Sequence, residues 1–254
     1  MHQLPIEQEL FLAAQIGTLV ALCIRLLWSG LYKTYPYFFG YLLLELLQTL
    51  LPVFVSVNSR MYRDWYVVSQ ALLICFSALV VLELYSTVLR GWVGIENVSR
   101  RYIKLTLALA VVVSLLPLIL EKPPNTLTGY LFIFQRPIVS SLVIFILLIT
   151  AFLLYYPIPV ERNVLIYLMG YAVFFLTNAT SIFVRNLGFY WARSISDVNM
   201  AVYEICLAFW LLTLHRGGED KQVVPGHHWS PHDEERLMAR LQAINTSLLR
   251  PGRK

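Results

Sequence analysis

Residues 65–89 read WYVVSQALLICFSALVVLELYSTVL. One charged side chain, Glu83, interrupts this otherwise apolar run. At about 1.5 Å of rise per residue, the run is long enough to cross the roughly 30 Å hydrocarbon core of a bilayer as a helix. Trp65 and Tyr66 open it, and amphipathic rings favour the depth where lipid meets water. Six further runs share this character, at 10–31, 37–57, 103–120, 137–156, 163–184 and 197–215. None alternates in the manner of an outer-membrane strand. In lipid every backbone donor must be satisfied internally, so helices are the remaining solution. The expectation is an all-α membrane protein with seven transmembrane helices over residues 1–215, followed by a polar linker and tail over 216–254.

Composition agrees. Hydrophobic residues make up 58% of the 254-residue chain and charged residues 14%, with a mean hydropathy of +0.64. Soluble domains run nearer about 45–50% and 25%. The net charge of +5 reads as basic loops lying against anionic lipid heads, not as a nucleic-acid surface. Cys23, Cys75 and Cys206 all sit inside apolar runs with no CxxC pair, which argues against a disulfide framework or a zinc site. Further aromatic anchors flank the runs: Trp28, Tyr32, Tyr35 and Tyr37 between the first two, Tyr155 and Tyr156 after the fifth, Tyr190 and Trp191 before the seventh.

Lysines and arginines set the expected orientation. The loops alone balance, with Arg60, Arg63, Lys122, Arg136, Arg185 and Arg193 on one side and Lys33, Arg90, Arg100, Arg101, Lys104 and Arg162 on the other. Arg216 and Lys221 tip the balance toward N-out and C-in.

Away from the ends of the runs, four charges lie within them: Arg25, Glu45, Glu83 and Glu204. Each costs about 2.5–3.5 kcal/mol at mid-membrane on insertion scales. Arg25, Glu45 and Glu83 fall at a shared depth on three sequential helices. They read either as an ion pair that fixes helix register or as a switch or proton site. A second polar set comprises Gln15, Gln70, Asn178, Ser181, Asn199, Tyr203 and Glu204. It reads either as interhelical hydrogen bonding or as the lining of a small-ligand pocket. Asn199 and Tyr203 are four apart and share a helix face.

Chemistry-bearing motifs are scarce. No histidine occurs in the interior of an apolar run, the seventh run has no lysine, and no GxSxG, HExxH or Walker A string is present. A haem, a retinal or another cofactor, and enzymatic activity, are therefore not expected. His227, His228 and His232 have no cysteine or ordered-turn partner and do not make an expected metal site.

The tail differs in character. Gly217 and Gly218 stop the last run. Ser230, Pro231 and Asp233 spell a capped helix start. Leu237, Leu241, Ile244 and Leu248 follow at spacings of four, three and four. That is a seam of under two heptads, too short for a stable free helix. It needs a partner: another tail, a cytosolic or membrane protein, or the lipid surface. The sequence leaves the oligomeric state open. A weak internal repeat also exists at an offset of 130, where Gly40-Tyr41 matches Gly170-Tyr171 and Arg63 matches Arg193. A 3+1+3 duplication of that kind occurs in some transporters.

Three blocks carry a resemblance: Tyr35-Pro36-Tyr37-Phe38-Phe39-Gly40-Tyr41, then Leu82-Glu83-Leu84-Tyr85-Ser86-Thr87-Val88-Leu89-Arg90, and the closing Leu237–Arg250 helix. Together they resemble a group of uncharacterised bacterial seven-span inner-membrane proteins with no assigned activity. The layout is also similar to the seven-helix sensor modules of bacterial kinases, without the catalytic domain. The resemblance implies a multi-pass protein of the bacterial inner membrane. A receptor-like or accessory signalling module is the leading functional expectation. A small secondary transporter and a structural subunit of a membrane complex are the alternatives.

Overall fold

A computed structural model describes residues 6–56, 59–90, 92, 94–99, 101–102, 104–105, 108–109, 112, 127–186, 192–225 and 230–249. Helix α1 spans Ile6–Ser29. It stops at Gly30, whose φ of 76° lies in the left-handed region that a side chain disfavours. Helix α2, Pro36–Phe54, starts with proline in its first turn, where the missing N–H costs nothing. Helix α3, Arg60–Val88, is capped by Ser59, which accepts from the Tyr62 N–H at 3.0 Å. Helices α4 (Leu127–Tyr155), α5 (Arg162–Asn186) and α6 (Ala192–Thr213) follow, and α7 (Pro231–Leu249) forms the tail.

The first six pack as a closed ring. Each neighbours the next in chain order, and α1 returns to α6. The core lies where they meet. It is unusually aromatic: Phe38 sits edge-on to Tyr167, Tyr171 and Trp210, at centroid distances of 4.5, 5.8 and 5.1 Å. Edge-to-face rings hold better than their area alone would. Helices α5 and α6 approach closely because Gly170 has no side chain. A Cβ there would meet Trp210 Nε1 at 2.3 Å.

The expected count of seven spans is corrected. Five helices among the described residues are long and apolar enough to cross a membrane: Phe11–Ser29, Pro36–Phe54, Arg60–Val88, Pro137–Tyr155 and Arg162–Ser181. The expected seventh run, 197–215, lies in α6, whose Asp197, Asn199 and Glu204 dilute its apolar character. The expected fourth, 103–120, falls mostly outside the described residues. The N-out, C-in orientation gains no support from the fold. The structure, which contains no membrane, does not test which face is which.

At the tail end of the ring the chain forms a clasp. Val160–Glu161 (β1) pairs antiparallel with Gln222–Val223 (β2). Arg90 reaches Glu161 at 3.7 Å. The Tyr35 hydroxyl donates to Glu219 Oε1 at 3.0 Å. Buried Asn163 donates its amide to the His215 carbonyl at 2.9 Å and to Glu219. Burial and the neighbouring Glu219 charge push the Tyr35 hydroxyl well above its ordinary value, so it stays a donor. The Glu161 carboxyl is likewise pushed up, by burial and by the Glu219 carboxyl beside it, with Arg90 opposing.

The tail helix begins as its sequence spells. The Asp233 N–H donates to Ser230 Oγ at 3.3 Å, and the Ser230 hydroxyl donates to Asp233 Oδ2 at 2.6 Å. It docks on its own chain. Asn245 Oδ1 accepts from the N–H groups of Gly94 and Ile95, at 2.8 and 3.2 Å, capping the helical segment that starts there. Leu237 and Leu241 are buried, while Ile244 and Leu248 remain exposed.

Candidate functional site

A polar cavity of about 250 Å³ lies inside the ring. All six ring helices line it. Helix α1 brings Gln15, α2 brings Tyr41 and Glu45, and α3 brings Gln70 and Ser77. Helix α4 brings Gln135, α5 brings Asn178, and α6 brings Asn199 and Tyr203. The spacing explains the convergence. Tyr41 and Glu45 are four apart, as are Asn199 and Tyr203, and Gln70 and Ser77 are seven apart, so each pair shares a helix face.

Apolar walls complete the site. Phe174 stacks obliquely on Tyr203 at 5.2 Å and lies 6.5 Å from the Tyr41 ring. The Gln48 amide donates to Gln70 Oε1 at 3.0 Å, orienting that side chain across α2 and α3. The Tyr203 hydroxyl is buried beside the Glu45 carboxyl. Glu45 has no ion-pair partner among the described residues. The described lining contains no lysine, arginine or histidine.

The polar set expected from the sequence is thus partly brought together. Gln15, Gln70, Asn178, Asn199 and Tyr203 line the cavity. Glu204 does not: its Oε1 lies 2.6 Å from the Thr18 hydroxyl and ties α6 to α1. Ser181 is buried away from the lining. Arg25, Glu45 and Glu83 are not brought together as a charge cluster. Arg25 Nε donates to the Leu214 carbonyl at 2.8 Å. Glu83 accepts from the N–H groups of Tyr37 and Phe38, both at 3.2 Å, and so caps α2. Glu45 alone of the three faces the cavity.

Gln135 escaped the sequence reading because the apolar run was started at Pro137, whereas α4 begins at Leu127. Tyr41 stands out in the sequence only in the repeat and in the first resemblance block. Its position four residues before Glu45 was the available signal. Among the described residues no group of three or more His, Cys, Asp or Glu side chains could hold a metal ion. His227 and His228 lie outside the described residues.

Comparison of the chain with protein families, curated proteins and solved structures returns no match. The resemblance to a bacterial seven-span group and to kinase sensor modules is corrected accordingly. The chain is a multi-pass α-helical membrane protein with five spans among its described residues. The blocks that suggested the resemblance have structural roles instead: Tyr35 joins the clasp, and Glu83 caps α2.

Proposed function

We propose that this chain is a non-catalytic, receptor-like membrane module that binds a small polar solute inside its helix ring. One observation carries the reading: six helices each place a polar side chain on the same cavity. Polar groups that merely join helices would pair off along their interfaces. Here Gln48–Gln70 and Thr18–Glu204 do that, while the remaining groups converge on open space. A volume of about 250 Å³ matches roughly eight waters of the liquid, which suits a small metabolite. The tail helix, docked beside the end of α3, is the element through which occupancy would reach a partner.

The test is native mass spectrometry of the full chain, gently extracted, together with its thermal stability against a panel of small polar solutes. A bound small molecule or a stabilising solute, lost in Asn199→Leu, is the expected result. An empty protein that no solute stabilises would remove the reading.

A small secondary transporter is the second reading, favoured by recurrent packing. Gly40 of α2 presses on Phe76 of α3, and Gly170 of α5 presses on Trp210 of α6. Solute uptake by proteoliposomes separates the two: a receptor-like module binds without net transport.

A further inference from the structure

We infer that the cavity selects small organic cations of the ammonium type. This rests on reading the cavity as a binding site, and it names the ligand class. The argument starts from charge. Glu45 brings a carboxylate to a site within the bundle, and the described lining supplies no basic side chain to balance it. A charge removed from water needs compensation from close by. An entering ammonium supplies it.

The walls suit the same guest. Tyr41, Phe174, Phe175 and Tyr203 present aromatic rings to the cavity. The faces of such rings carry negative potential and attract desolvated cations, quaternary ammonium groups above all. The amide oxygens of Gln15, Gln135, Asn178 and Asn199 add acceptors for N–H or O–H groups. An anionic guest would face Glu45 with no countercharge from the described lining. A divalent metal would find one carboxylate where such ions gather several hard oxygen ligands.

The experiment uses the full chain in maltoside micelles, which contain no choline headgroups. Binding is read as the rise in unfolding temperature with concentration. The probes are methylammonium, tetramethylammonium and choline. The controls are acetate and the neutral alcohol in which carbon replaces the quaternary nitrogen of choline. At least one ammonium should bind, with the neutral alcohol and acetate much weaker. Glu45→Gln should weaken that ammonium by on the order of tenfold or more. Glu45→Asp keeps the charge and should keep the preference for cations, which separates a lost charge from a damaged fold.

The inference is overturned if the neutral alcohol binds as well as choline, or if Glu45→Gln holds the ammonium as tightly as the native chain. It is also overturned if no ammonium binds while other polar solutes do. In each of these cases the cavity still binds a solute, so the broader reading survives. If no solute of any kind binds, both fall.

Discussion

The carboxylate of Glu83 occupies a place that helix starts normally give to a serine or aspartate just outside the helix. Tyr35, the residue before α2, offers no side-chain cap, and α3 reaches across to accept from Tyr37 and Phe38. Two backbone donors of the first turn, that of Phe38 buried, therefore depend on one side chain. Glu83→Ala should cost about 1–3 kcal/mol, seen as a lower unfolding temperature in micelles. Glu83→Gln, which keeps one acceptor, should lose less. Gly170→Ala should also destabilise, by about 1–3 kcal/mol, because its new methyl meets the Trp210 indole. Trp210→Leu in the same chain should return part of that loss, and a double-mutant cycle reads the coupling. At this scale the sequence was informative about polarity and silent about rotation. Gln15, Gln70 and Asn178 stood out as polar residues in apolar runs. Which way each helix turns decides that Glu45 faces the cavity while Glu204 faces Thr18, and that angle comes from packing across the ring.

The tail helix is the element whose boundaries were best legible and whose destination was not. Ser230, Pro231 and Asp233 announce its first turn through local hydrogen bonding alone, and the structure forms those bonds. An apolar seam shows that something must cover it, not what. The cover is the chain itself for Leu237 and Leu241, with Asn245 closing the contact on Gly94 and Ile95. Leu241→Asp should undock α7, and hydrogen exchange should rise over 94–99 and 231–249 together. Asn245→Ala should raise exchange mainly at 94–99, since it removes a cap and leaves the apolar contact. Ile244 and Leu248 stay exposed, so the docked helix still presents apolar surface outward.

Over the whole molecule, the clasp links the start of α2, the end of α3, the start of α5 and the segment after α6. Its pH dependence follows from Glu161. The folded state holds that proton more tightly than the unfolded chain does. The group's contribution is complete below the ordinary carboxylate value of 4.5 and is lost as pH rises through its elevated folded value. Protection at residues 219–223, taken relative to the intrinsic exchange rate at each pH, should therefore be greater at a pH of about 5 than of about 8, and Glu161→Gln should flatten that slope. The clasp was not legible beforehand, because its members lie in four separate stretches of chain and none stands in a motif. The number of spans was misread for a related reason. Hydropathy treats every apolar run as lipid-facing, whereas α6 lines a polar cavity with Asn199, holds Glu204 against Thr18 of α1 and carries an exposed Asp197.

A ring whose first stave locks against its last has an order of assembly built into it. Chains are made from the N-terminus onward, so α1 enters the bilayer long before α6 exists. Until residue 214 has been synthesised, Arg25 lacks the carbonyl it binds in the finished protein, and until residue 204 has, Thr18 lacks its carboxylate. Helix α1 thus waits with its arginine short of a partner, in a medium where a charge is costly. A ribosome halted before α6 leaves behind a product marked by its own first helix, open to whatever surveys the membrane for half-built proteins.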